Sequence, residues 1–239
     1  MKAFSGASPS LSMTEVAQRT GLARAVARRY LLTLSELQCV HEHEGRFMLT
    51  PRVLDLGFAY LSTIKPASLA QKAMETIAAQ LHESCSLSVL DGREIVYVAR
   101  VPAKRIMSIN LVVGSRLPAH ATSMGKVLLA YLPPYELEVF FAGPPLPSLT
   151  KRTICDESAL RKALAQVRER GWALADEEVE AGIRSVAAPL WEHGGHVTTA
   201  INVSTHASRV SKAEFLRHHL PILLDAARSI STSLGGRVA

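Results

Sequence analysis

The sequence predicts an α+β protein in two parts: an N-terminal winged helix-turn-helix with a linker helix, then a larger domain of helices on a mainly antiparallel sheet. Three observations carry this. Two short amphipathic stretches separated by Gly21 precede a strand pair around Glu44-Gly45. Lys65-Pro66 then breaks the helical pattern, which places the domains at 1–62 and 63–239. Beyond that break, strand-like stretches come in pairs around Asp91-Gly92 and Gly194-Gly195, so neighbouring strands form hairpins.

Taken in order, Ser12-Met13-Thr14-Glu15 has the form of a capping box, with Leu11 and Val16 placed to close a hydrophobic staple. That helix should run to about Thr20 and a second from about Leu22 to Leu37. Cys39 to His43 and Arg46 to Leu49 read as the wing. Pro51 starts the linker helix, on which Leu54, Phe58 and Leu61 recur at helical spacing. They fit either a seam between two copies or an internal core stripe. Further helices are expected at 67–82, 124–132, 156–170 and from Ser211 to about Leu234. Strands are expected at 86–90, 93–101, 106–113, 183–191 and 196–204, with Gly114–Ser123 and Gly143–Pro147 as loops.

Composition bounds the function. The 239 residues are 48% hydrophobic and 20% charged, which fits a folded chain and not a disordered one. No apolar run is long enough for a membrane span, and Met1 to Ser5 lacks the apolar stretch of a secretory leader. Cys39, Cys85 and Cys155 fit neither a disulfide framework nor a zinc spacing, so a reducing, cytoplasmic setting is expected. The net charge is +6, yet the first 62 residues hold only +2 of it. The informative charge is local: Val16 to Ser35 contains four arginines and no acid.

On the second helix, Val26, Tyr30, Leu34 and Leu37 share one face, with Arg24 and Arg28 roughly opposite and Arg29 on the flank. An outward arginine near the start of such a helix can read guanine or grip phosphate in a major groove. Ala25 leaves room for a thymine methyl. Arg46 at the wing and Thr14 at the first helix are placed for phosphate or minor-groove contacts. A solvated face explains most charge runs. Two helices, the small residues Ala17 and Gly21 at their crossing, the arginine face and the hairpin together favour double-stranded DNA.

These residues resemble the IclR family of bacterial transcriptional regulators along almost the whole chain. The stretches that carry the likeness are Leu11–Ala17, Thr20–Leu22, Arg28–Leu34 and Phe47–Gly57 in the first domain. In the second they are Gly114–Lys126 and Gly182–Pro189. The wording is most similar to regulators of aromatic-acid and β-ketoadipate catabolism. The resemblance implies a C-terminal effector-binding domain of GAF-like α/β fold and a homodimer on an operator, often paired into a homotetramer. It also implies coupling from the pocket through the linker helix to the spacing of two recognition helices. Members of the family usually carry about twenty residues before this start. Lys2-Ala3-Phe4 is therefore expected to be the last turn of a first helix, leaving the three-helix core short of a wall. That motivates an alternative, a small-molecule sensor with impaired DNA binding.

The resemblance also implies an effector pocket for a small carboxylate, aromatic or dicarboxylic, lined by Ile106, Ile109, Leu117, Ser123, Met124, Ile183, Ser185, Asn202 and Ser204. Leu117, Met124 and Ile183 would supply an apolar wall and the hydroxyl and amide groups would fix orientation. Family members that bind short keto acids have Asp where Ala175 stands and Cys where Ser185 stands, which disfavours such ligands. Arg116, His120 and Arg184 are candidate counter-charges.

No cofactor or metal is expected, and enzyme motifs fail. Gly125-Lys126 lacks the glycine five residues earlier that a phosphate loop needs, His120 standing there. No G-x-G or G-x-S-x-G occurs. His41 and His43 share a strand face without an evident third ligand, and His218-His219 reads as helix surface.

Overall fold

The computed structural model describes residues 1–103 and 111–236. The chain forms two compact units, Met1–Ile64 and Lys65–Ala239. The first contains β1 (Ser10–Ser12), α1 (Met13–Thr20), α2 (Arg24–Glu36), β2 (Val40–His43), β3 (Arg46–Leu49) and α3 (Val53–Thr63). Its antiparallel sheet runs β1-β3-β2, with β1, unforeseen from sequence, pairing Leu11 with Phe47. The capping box at α1 is complete: Ser12 Oγ accepts from Glu15 N–H at 3.3 Å, and Ser12 N–H donates to Glu15 Oε2 at 2.6 Å. Gly21 closes the helix at φ 67°, a conformation open to glycine because it has no Cβ to clash. In the wing turn Glu44 and Gly45 both have positive φ, the backbone twist that a two-residue hairpin favours.

The core of this unit is Leu11, Val16, Leu31, Val40 and Phe47. It corrects the expected face of α2. Ala27 and Leu31 are buried and Leu34 packs beside them, whereas Tyr30 is 60% and Leu37 56% exposed. The physical reason is close approach: α2 turns its smallest inward residue, Ala27, towards its neighbours, which rotates the apolar stripe away from Val26 and Tyr30. Lys2-Ala3-Phe4 forms a single turn, Phe4 N–H donating to Met1 O at 3.1 Å, not the end of a helix. Ala3 and Phe4 pack against the core, and Arg19 ties the segment down through Ala3 O and Ser8 Oγ. Pro51 and Arg52 form a turn, so α3 starts two residues later than expected.

The second unit begins with α4 (Lys65–Leu81), where Pro66 sits in the first turn instead of breaking a helix. There follow β4 (Ser84–Asp91), β5 (Glu94–Val101), β6 (Arg116–Pro118), a 3-10 turn (Ala119–Ala121), α5 (Ser123–Ala130), α6 (Pro134–Phe141) and α7 (Glu157–Arg170). The chain continues through β7 (Ala173–Asp176), β8 (Ile183–Trp191), β9 (Val197–His206), α8 (Lys212–Glu214), a π-helical turn (Phe215–His219) and α9 (Leu220–Ser233). One antiparallel sheet orders the strands β6-β5-β4-β9-β8-β7.

All eight residues of α5 are buried, on the sheet face that carries Ile95, Tyr97, Ala187 and Ala200, with α7 packed over it. Alternation turns Val186, Ala188 and Leu190 to the opposite face, where α4 and α9 pack.

Several expectations need correction. The two-residue loop of the first hairpin is Gly92-Arg93, since Asp91 already pairs with Glu94. Arg116–Pro118, expected as loop, is an edge strand; its proline sits at the open edge, where a missing N–H loses no ladder bond. Of the strand expected at 106–113, residues 111–113 are not strand and 106–110 lie outside the described residues. α6 and β7 were not foreseen: each is short, and α6 buries only Leu137 and Phe140, a signal too sparse to show periodicity. His219 is buried in the π turn against Phe215, not on the surface.

Candidate effector site and nucleic-acid face

In the first unit Thr14, Arg24, Ala25, Arg28 and Arg29 are all exposed. With Ala27 and Leu31 inward, helical periodicity puts Ala25 and Arg29 directly outward and Arg24 and Arg28 on the flank. This reverses the expected roles of Arg28 and Arg29. Among the described residues none of the three arginines forms an ion pair, so each guanidinium is available to an anionic partner. Arg46 is different. It donates to Ser10 Oγ at 2.9 Å and Ser10 O at 2.7 Å and lies 3.4 Å from Glu15, so it braces β3 against β1 instead of reaching out from the wing.

In the second unit the described residues line a cavity of about 170 Å³ between the sheet and the start of α5. Strand register builds its polar wall. Arg100 and Asn202 flank Ser86, which is not itself a lining residue, while the lining residues Ser84, Ser204 and Ser185 follow one another across β4, β9 and β8. Leu111, Leu117, Met124 and Ile183 give the apolar wall, and Tyr97 adds a ring whose phenol burial pushes up to about 12. Helix α5 enters at the cavity, its cap Thr122 accepting from Gly125 N–H at 3.0 Å. Its first residue, Ser123, is within 2.8 Å of Ser185 Oγ.

Seven of the nine residues expected around the pocket thus meet at one cavity: Leu117, Ser123, Met124, Ile183, Ser185, Asn202 and Ser204. Ile106 and Ile109 lie outside the described residues. None of the three expected counter-charges lines it. Arg116 is held at the sheet edge by Glu94 and Asp91 at 2.7 and 2.6 Å. His120 Nε2 faces Pro147 O at 3.0 Å, and burial lowers its pKa. Arg184 is bound to Asp176 at 2.6 Å and Val210 O at 2.8 Å.

Among the described residues Arg100 is a cation that faces the cavity. It donates to Ser86 Oγ at 3.1 Å and Ser84 Oγ at 3.3 Å, and among the described residues no carboxylate pairs with it. Burial lowers its pKa, but a guanidinium stays charged. Arg209 also lines the cavity, but it is already engaged by Glu83, which Thr205 binds as well. Asn202 donates to Ser204 Oγ at 3.0 Å, while its Oδ1 is buried with no partner among the described residues. A buried amide oxygen without a donor is unfavourable unless a ligand or water completes it. A signal for Arg100 exists in the sequence: it is the lone charge in Ile95–Val101, opposite the serines of Cys85–Val89.

Lys126, rejected as a phosphate-loop lysine, is buried and paired with Glu178 at 2.5 Å. The neighbouring Gly125 is required by packing. A Cβ there would stand 2.1 Å from Ala119 O and 2.5 Å from Ala119 Cα.

Two protein-family models match the chain. One, described as bacterial transcriptional regulator IclR C-terminal, covers residues 58–232; the other, described as IclR helix-turn-helix domain, covers residues 1–44. The Pca regulon regulatory protein of Pseudomonas putida is 39% identical over 99% of this chain and 81% of its own length. A transcriptional regulator from Rhodococcus sp. RHA1 superposes with a TM-score of 0.85 at 44% identity, over 98% of this chain and 94% of that one. The inducer-binding domain of a double mutant of PobR from Acinetobacter, in complex with 3-hydroxybenzoic acid, superposes at 0.64 with 34% identity. That match spans 69% of this chain and 97% of that one.

Proposed function

The chain belongs to the IclR family of bacterial transcriptional regulators, and on that premise we propose that it is a cytoplasmic, homodimeric regulator switched by a single-ring hydroxy-aromatic acid. The observation that carries the ligand class is the pairing, at one small cavity, of an arginine that no carboxylate among the described residues pairs with and a buried amide oxygen to which no described residue donates. The carboxylate of the acid meets Arg100 with the serines beside it, and its hydroxyl donates to Asn202 Oδ1. Size agrees. A dry protein cavity of about 150 Å³ takes up benzene, and this one is about 170 Å³. One ring with small substituents fits a volume of that size. The PobR domain seen with 3-hydroxybenzoic acid supports the same class. No helix among the described residues is long and apolar enough to cross a membrane.

The test is a mobility shift on the DNA upstream of the protein's own gene, with and without 3- and 4-hydroxybenzoate. A shift that either acid alters is expected. A shift indifferent to both, alongside no heat of binding, overturns the ligand class.

Recognition helix α2 leads to a second expectation. Arg29→Ala should weaken operator binding by about 1–3 kcal/mol, roughly 5- to 150-fold, as expected for loss of an arginine contact to a base. Arg28→Ala, on the flank, should lower the slope of affinity against salt by about one, as loss of a phosphate contact does. Binding unchanged across a salt series in both variants would remove α2 from the interface.

Self-association rests on α3. Leu54, Leu56, Phe58 and Tyr60 are each more than half exposed and no residue of the helix is buried, so an apolar helix faces solvent in the single chain. A second copy covering it accounts for that exposure. Phe58→Glu should shift the molar mass from dimer to monomer in light scattering. An unchanged mass would exclude α3 as the seam.

A further inference from the structure

Between β7 and β8 the chain makes a strap, residues 177–182, whose Val179 and Glu180 form part of the cavity wall beside Ile183. The strap is sharply turned. Glu177 has φ 62° although it carries a side chain, and Gly182 has φ 84°. Glu177 N–H donates to Ile183 O at 2.8 Å, and Gly182 N–H donates to Glu177 Oε2 at 2.9 Å. Its outer side is held through the backbone: Thr150 Oγ1 donates to Glu177 O at 2.7 Å and Thr153 Oγ1 to Glu178 O at 2.6 Å.

Its inner side is held by a charge. Glu178 points into the domain and meets Lys126 Nζ at 2.5 Å; the two side chains are 9% and 3% exposed. Lys126 Nζ also lies 3.5 Å from Leu174 O. The other carboxylate oxygen of Glu178 is buried without a partner among the described residues, so this carboxylate depends on Lys126. Burial lowers the Lys126 pKa, against which Glu178 acts.

A buried ion pair is weak evidence for stability, since desolvating two charges offsets most of their attraction. Its position suggests another use. Lys126 lies one helical turn beyond Ser123 on α5, and Ser123 and Met124 line the cavity. The pair therefore joins the two walls between which a ligand sits.

We propose that Lys126 and Glu178 are positioning residues for the cavity: their ion pair pins the strap against α5 and sets how fast a bound acid leaves. This rests on the cavity being the effector site, and the test separates the two ideas. It uses the full chain as wild type, as the double variant Lys126→Met/Glu178→Leu, and as the isosteric Glu178→Gln. The double variant replaces the pair by apolar groups, so its melting temperature should stay near that of wild type. Amide exchange in the ligand-free protein should nevertheless speed up by about tenfold at residues 177–182, with β8 unchanged. Release of 4-hydroxybenzoate in stopped flow should accelerate by about the same factor, with the association rate little altered. Glu178→Gln, which leaves the Lys126 ammonium buried without its counter-ion, should change exchange and release in the same direction and also lower the melting temperature. Strap exchange and release at wild-type values in the variants would mean that the pair does not pin the strap, and would overturn the proposal. If wild type binds no single-ring hydroxy acid, the effector assignment fails, while the exchange measurement still decides whether the pair pins the strap.

Discussion

Gly125→Ala is expected to lower the melting temperature of the C-terminal unit by about 6–12 °C. The reason is geometric. The new methyl would stand 2.1 Å from Ala119 O and 2.6 Å from its carbonyl carbon, and both partners are backbone. No side chain can rotate aside, so α5 or the 3-10 turn must move. Overpacking a core costs about 1–3 kcal/mol when side chains can adjust, and here the upper end applies. For a domain of this size each kcal/mol shifts the midpoint by about 2–4 °C. Trp172 and Trp191 are the only tryptophans and both lie in the C-terminal unit, so their emission follows this unit selectively. A midpoint within measurement error of wild type would show that α5 does not approach the turn so closely. Because α5 supplies Ser123 and Met124 to the cavity, effector affinity should fall with stability.

Arg100→Met should weaken binding of the acid by about 30-fold or more while leaving operator binding by the ligand-free protein intact. Methionine keeps an unbranched apolar side chain and removes the charge. Removing one partner of a buried, hydrogen-bonded charge pair costs about 2–5 kcal/mol, much of it the penalty on the charge left behind. Titration calorimetry with 3- and 4-hydroxybenzoate reads the loss directly. Arg116→Met and Arg184→Met, whose guanidiniums are held by Glu94 and Asp176, should keep affinity within about threefold, since neither guanidinium bonds a lining residue. Equal losses in all three variants would mean that a general positive potential draws in the acid, and would remove the specific role of Arg100.

The elements were legible where a local rule governs them. The capping box at Ser12 and Glu15, the glycine end of α1, the wing turn at Glu44-Gly45 and the Asp156 to Gly171 span of α7 all involve residues within a few positions of one another. Their hydrogen bonds and backbone angles are decided locally, so a pattern in the chain suffices. The seven pocket residues came from family resemblance, and the structure gathers them at one cavity.

What failed was orientation and long-range pairing. The inward face of α2 could not be chosen from its own periodicity, because two overlapping stripes are apolar. Contact with α1 and the wing selected Ala27 and Leu31 over Val26 and Tyr30. Arg46 looked like a free wing residue until β1, a strand of three residues, gave it a partner 36 positions away.

The sequence by itself determined the two-part order, the helix caps, the wing turn, the arginine-rich helix and the family. Only the tertiary structure decided which arginine faces the cavity and which are spent on ion pairs. Arg100, Arg116 and Arg184 are alike as side chains on strands. Their fates differ because sheet register sets Arg100 beside serines, Arg116 beside Glu94 and Arg184 beside Asp176. Register is a contact between distant segments, and a guanidinium is free for a ligand only where that contact brings it no carboxylate.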